Sequence, residues 1–111
     1  MNKLIPDYQK KFRLDNKVAY VIGGLGLIGS EVTRALASGG ARTLVLDLDD
    51  NRGHKLIAEL NDAGYNSVYQ PFDCADMDSI ERQFSALISE NRSPNIFVNC
   101  SYPRTEDWGS N

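Results

Sequence analysis

Apolar residues fall in short runs separated by polar or glycine-rich breaks, and the runs alternate between strand-like and helix-like spacing. Val18 to Ile22 is an apolar, β-branched-rich run entered from Lys17 and stopped by Gly23-Gly24. A run without polar alternation fits a strand buried on both faces. Ile28, Val32, Ala35 and Leu36 then recur at spacings of 4, 3 and 1, one face of a helix, and Gly39-Gly40 supplies a left-handed stop. Thr43 to Leu46 predicts a second strand, Asp47 to Asp50 an acidic turn able to cap a helix, and Leu56, Ile57 and Leu60 the next helical stripe before Gly64. Ser67 to Phe72 reads as a third strand. Asp73 and Asp76 are expected to open a third helix with Ile80, Phe84, Leu87 and Ile88 as its apolar face, and Ile96 to Val98 as a fourth strand follows.

The predicted order is β-α-β-α-β-α-β. Helices of this length between strands are the crossovers that parallel pairing requires, and such crossovers are right-handed. The expected fold class is therefore α/β: a doubly wound parallel Rossmann-type sheet, incomplete, with about four strands and three helices. Residues 1–111 read as a single domain.

Composition narrows the partners. The chain is 41% apolar and 24% charged, ordinary for a globular protein. Its 15 acidic residues against 12 basic ones lack the basic excess that draws proteins to nucleic acid or anionic membranes, so neither partner is expected. Cys74, Cys100 and the single histidine His54 assemble no zinc-type spacing, and no metal site is assigned. The two cysteines read as free, small buried thiols and His54 as a solvated surface residue. Without a signal-like or membrane-length apolar run, a cytoplasmic location is the expectation.

The candidate chemistry lies in Gly23-Gly24-Leu25-Gly26-Leu27-Ile28-Gly29, at the junction between a buried strand and the helix it feeds. Glycines at i, i+3 and i+6 there permit a tight turn, approach of a pyrophosphate to the backbone, and close packing of helix on sheet. Phosphates would face free N–H groups at the positive end of the helix. Asp47 lies 18 residues after Gly29, at the end of the second strand, where a carboxylate accepts hydrogen bonds from an adenosine ribose. It favours the free 2′-hydroxyl of NAD and disfavours the 2′-phosphate of NADP, with no cation from the glycine turn or Leu48 to reverse the choice. Asp49 and Asp50 read as caps or solvated charges.

On these residues the chain resembles the short-chain dehydrogenase/reductase family over essentially its whole length. Phe12-Arg13-Leu14-Asp15-Asn16-Lys17-Val18-Ala19 resembles the lead-in to that family's first strand, and the turn resembles its G-x-x-G-x-x-G variant. Asp73, beside Cys74, matches an aspartate that binds near the adenine. Val98-Asn99-Cys100-Ser101 matches the Asn-Asn-Ala-Gly segment past the fourth strand, with only Asn99 retained. The resemblance implies a cofactor-binding set of Gly23, Gly26, Leu27, Ile28, Gly29, Asp47, Leu48, Asp73, Cys74, Asn99, Cys100 and Ser101. It also implies hydride transfer between NAD(P)(H) and an alcohol or carbonyl. The run from Tyr102 to Gly109 looks like a subgroup associated with surface-sugar or flagellin-glycan biosynthesis.

In that family a tyrosine acts as general acid/base, with a lysine four residues later lowering its pKa and a serine orienting the substrate. Here Tyr8, Tyr20, Tyr65, Tyr69 and Tyr102 are followed at the fourth position by Phe12, Gly24, Tyr69, Asp73 and Glu106, so no catalytic residue is assigned. The expectation is a cofactor-binding portion, truncated before its catalytic segment and inactive alone. Asn95 to Cys100 should then be an open apolar strand edge, with Tyr102 and Trp108 lacking their packing surface. The alternative reading is a non-catalytic nucleotide-sensing Rossmann module that forms a homo-oligomer through that edge.

Overall fold

In the computed structural model, residues 5–101 are described. The strands β1 (Val18–Ile22), β2 (Arg42–Asp47), β3 (Ser67–Pro71) and β4 (Ile96–Asn99) form one parallel sheet in the order β3-β2-β1-β4. The helices are α1 (Tyr8–Lys11), α2 (Leu27–Ser38), α3 (Asp50–Asp62) and α4 (Ile80–Asn91). Chain direction explains the layering. The steps β1 to β2 to β3 run one way across the sheet through α2 and α3, and the step back to β4 runs the other way through α4. Right-handed crossovers then place α4 on the opposite face.

Two cores result. Val18, Tyr20, Ile22, Leu44 and Leu46 alternate onto the α4 face, where Leu87 and Phe72 close over them. Val45 and Tyr69 point the other way, against Leu25 and Ala37 from the α2 side and Leu56 and Leu60 of α3. All five residues of β1 are buried, because the strand has a neighbour on each side and helices over both faces. In β4 half-buried and exposed residues alternate, because among the described residues the strand is paired only with β1. Its register is fixed at the entrance by Asn95, whose Oδ1 accepts the Val18 N–H at 2.8 Å while its own N–H donates to the Val18 carbonyl.

The anticipated fold class and strand–helix order hold, with several local corrections. The buried positions of α2 are Gly29, Thr33 and Ala37, not Ile28, Val32, Ala35 and Leu36. The reason is distance: a Cβ on Gly29 would stand 1.9 Å from the Gly23 carbonyl oxygen, so the inward face must be made of small residues. Ile28 is left 72% exposed. Helix α4 starts at Ile80 after Ser79, not at Asp73 or Asp76. The intervening segment is held as a turn by Gln83, whose Oε1 accepts the Asp73 N–H at 2.8 Å and whose Nε2 donates to the Asp73 carbonyl at 2.9 Å. Within Gly39-Gly40 only Gly40 is left-handed, at φ 109°. The short α1, begun by Asp7 accepting the Lys10 N–H, has no counterpart in the apolar periodicity. Tyr102 to Gly109, including Trp108, lie outside the described residues. Among the described residues, no helix is long and apolar enough to cross a membrane.

Candidate functional site at the carboxyl ends of the strands

Parallel strands direct all their carboxyl ends to one rim, and the chain's direction across the sheet reverses between β1 and its neighbour β4. Ligands of open α/β sheets bind in the crevice at such a reversal. Here β1 ends in Gly23, which takes φ 74°. A Cβ at that position would lie 2.9 Å from the Ser101 backbone nitrogen and 3.0 Å from the Cys100 carbonyl carbon, so the turn passes tightly under the segment leaving β4. Gly26 then caps α2 without any side-chain hydrogen bond. A Cβ there would meet nothing closer than the Gly23 carbonyl oxygen at 3.5 Å, an ordinary contact, so this position is not crowded by the protein. The first intrahelical bond is from the Ser30 N–H to the Gly26 carbonyl. The N–H groups of Leu27, Ile28 and Gly29 precede it and have no hydrogen-bond partner among the described residues, an arrangement able to hold an anion.

A cavity of about 460 Å³ lies at this helix start, lined by Gly26, Leu27, Ile28, Gly29, Asn99, Cys100 and Ser101. Seven of the residues assigned from sequence are thus brought to one place. Asn99 organises the far wall: its Oδ1 accepts from the Ser101 N–H at 3.0 Å and from the Ser101 hydroxyl at 2.5 Å. Leu27 and Ile28 are 93% and 72% exposed, apolar side chains bordering the cavity rather than the core.

Asp47 stands beside the turn at the end of β2. Its Oδ2 accepts the Leu25 N–H at 3.1 Å, and its Oδ1 accepts the Leu48 N–H at 2.9 Å. The carboxylate is oriented by backbone donors and remains half-buried, with lone pairs free for further donors. Asp49 caps α3 by accepting the Arg52 N–H at 3.1 Å. Asp50 accepts the Tyr69 hydroxyl at 2.7 Å, and that hydroxyl also reaches the Asp47 carbonyl at 3.2 Å. Burial first, and then the Asp50 bond, holds the Tyr69 phenol protonated well above its ordinary range. Tyr69 also fills the space that Gly53 leaves open, where a Cβ would stand 2.5 Å from the ring.

Asp73 lies past β3 on the same rim, two strands from the turn, and neither it, Cys74 nor Leu48 lines the main cavity. Cys74 is exposed, not buried as expected. The backbone turns outward after Asp73, whose Oδ1 accepts the Ala75 N–H at 3.0 Å. Cys100 is half-buried, and both thiols are free. His54 is exposed, its ring edge-on to Tyr69 at 5.6 Å. Leu25 and Arg52 were not singled out from sequence. Leu25 is 3% exposed, gives its N–H to Asp47, and accepts the Arg52 guanidinium at its carbonyl. The available signal was a cation in the first turn of α3, where the helix dipole disfavours one.

The glycine turn, the start of α2 and the Asp47 carboxylate sit on a region whose sequence matches the short chain dehydrogenase family over residues 17–101. The chain belongs to that family. It is 36% identical over 90 residues to D-threitol dehydrogenase of Mycolicibacterium smegmatis, covering 79% of this chain and 34% of that protein. It is 34% identical over 92 residues to galactitol 2-dehydrogenase of Rhizobium johnstonii, covering 83% of this chain and 35% of that protein. The crystal structure of gox2181 superimposes with a TM-score of 0.79 at 31% identity, over 88% of this chain and 38% of that one. The chain thus spans about a third of the length of the curated relatives it matches.

Proposed function

We propose that this short-chain dehydrogenase/reductase chain is the dinucleotide-holding portion of an oxidoreductase that moves a hydride between nicotinamide and an alcohol or carbonyl carbon, with NAD the preferred cofactor. The observation that carries this reading is the uncapped start of α2. Its free N–H groups and the space at Gly26 open on the cavity shared with Asn99 to Ser101. A pyrophosphate would be held by the N–H groups of Leu27, Ile28 and Gly29 and by the positive helix end. Asp47 would accept from the adenosine ribose hydroxyls and Asp73 would border the adenine, while Asn99, Cys100 and Ser101 form the wall that leads toward the nicotinamide.

When bound, the cofactor supplies the two-electron hydride acceptor or donor, and these residues bind and orient it. No Tyr-x-x-x-Lys occurs in the 111 residues, so we assign the proton-transfer step to residues outside them. The polyol relatives favour a polyhydroxylated, sugar-like substrate for the whole enzyme. The test is calorimetric titration of the chain with NAD+ and NADP+. NAD+ should bind the more tightly, and Asp47→Ala should weaken NAD+ about tenfold, as expected for loss of a charge-assisted hydrogen-bond pair. Absence of NAD+ binding, or an Asp47→Ala variant with unchanged affinity for both nucleotides, would remove the basis of the assignment.

A further inference from the structure

On the opposite rim, where the strands begin, a cavity of about 330 Å³ is lined in part by Asp15, Asn16, Lys17, Arg42, Asn66 and Arg92. One carboxylate stands among three cations there. Asp15 is already matched by Arg13 at 2.8 Å, whereas Lys17, Arg42 and Arg92 have no carboxylate partner among the described residues. Arg42 is half-buried and gives one terminal nitrogen to the Asn91 Oδ1 at 3.0 Å, but its Nε is enclosed without an acceptor. Buried donors almost always have a partner, from protein, water or an ion.

The backbone is strained at the same place. Arg92 takes φ 75° and ψ 162°, a region that only glycine enters readily, and its carbonyl is held there by the Tyr20 hydroxyl at 2.6 Å. Glycine would end α4 here without strain, yet the chain keeps an arginine. Cations at this rim also complement the carboxyl ends of α2, α3 and α4, each worth roughly half a negative charge. That accounts for only part of the cluster. The last carbonyls are partly taken by the N–H groups of Ala41, Tyr65 and Arg92, and three full cations exceed what remains.

We infer that this cavity is a second ligand site, for a phosphate-type oxyanion held by Lys17, Arg42 and Arg92. Guanidinium groups pair with phosphate oxygens through parallel N–H donors, and a lysine adds a compact charge. The amides of Asn16 and Asn66 add donors for whatever the phosphate carries. The site is independent of the dinucleotide reading: β1 runs between the two rims, with Lys17 before its first residue and Gly23 after its last.

The test is titration of the isotopically labelled chain with inorganic phosphate and, separately, with glycerol 3-phosphate, at constant ionic strength. Saturable shifts are expected at the Lys17 and Arg92 amides and at the Arg42 Nε–H. Phosphate that also visits the start of α2 is read apart, at the amides of Leu27 to Gly29. Arg42→Gln and Arg92→Gly should each weaken binding at the strand-start rim at least tenfold and leave the α2 shifts as they were. Because Arg92→Gly relieves the backbone, it should raise the melting temperature while affinity falls, which separates loss of the site from loss of the fold. Tighter binding of glycerol 3-phosphate makes the ligand a phosphate ester; equal or weaker binding makes it free phosphate. Shifts confined to Leu27 to Gly29, shifts that do not saturate, or full affinity in Arg92→Gly would overturn the inference.

Discussion

β1 and β4 are parallel neighbours of similar apolar character, and Tyr20 pairs with Phe97 in the register between them. Tyr20 is fully buried and donates its hydroxyl to the Arg92 carbonyl at 2.6 Å. Phe97 is 50% exposed, with its ring 5.8 Å from that of Phe84. The residues are alike, so the difference belongs to the neighbours: β1 is flanked on both sides, β4 on one. Apolarity calls for a strand; what covers the strand is decided elsewhere in the sheet. The candidate site spans both regimes, with its glycine turn on the end of the well-packed β1 and its far wall on the end of the thinly covered β4.

The sharpest way to break this contrast is at the rigid side. Gly29→Val would drive a side chain into the Gly23 carbonyl and should cost more than about 3 kcal/mol, seen as loss of the cooperative thermal transition together with nucleotide binding. Next comes the paired comparison itself. Tyr20→Ala should destabilise by about 3–5 kcal/mol, whereas Phe97→Ala should cost about 1 kcal/mol because half of its surface is already in water. Equal losses in urea denaturation would show that β4 is as well packed as β1.

A smaller effect separates the two ends of the sheet by pH. Tyr69, on the strand farthest from β4, has its folded pKa raised above the ordinary value of 10.0. A raised folded pKa means that its stabilising contribution is complete below the unfolded value and declines as pH rises above about 10. Tyr69→Phe should therefore flatten the alkaline fall in stability, measured as melting temperature from pH 9 to 11. A retained slope would assign it to other groups, Tyr20 among them, whose pKa burial also raises. Smallest is Asn95→Ala, which removes the side-chain acceptor of the Val18 N–H and should cost about 1 kcal/mol.

The sheet was legible because β1 and the Leu44–Leu46 stretch of β2 are uninterrupted apolar runs, ended by glycine and by aspartate. The turn was legible because Gly23 and Gly29 each have a distinct steric reason. The inward face of α2 was not, since periodicity follows large apolar residues and this interface is built from Gly29, Thr33 and Ala37, whose contribution is their small size. The start of α4 was misplaced because Asp73 and Asp76 look like caps, and only the long-range bonds from Gln83 show that the backbone there is held as a turn. The contact of Arg52 carries no sign in the sequence for the same reason: it is with Leu25, 27 residues away.

The central claim is that a dinucleotide sits on the start of α2 with its ribose toward Asp47. Amide chemical-shift mapping of the isotopically labelled chain during NAD+ titration tests it most directly. The account predicts the largest saturable shifts at the N–H groups of Leu27, Ile28 and Gly29, with smaller ones at Leu25 and Leu48. Saturable shifts confined to other surfaces, or a spectrum unchanged at millimolar NAD+, would contradict it.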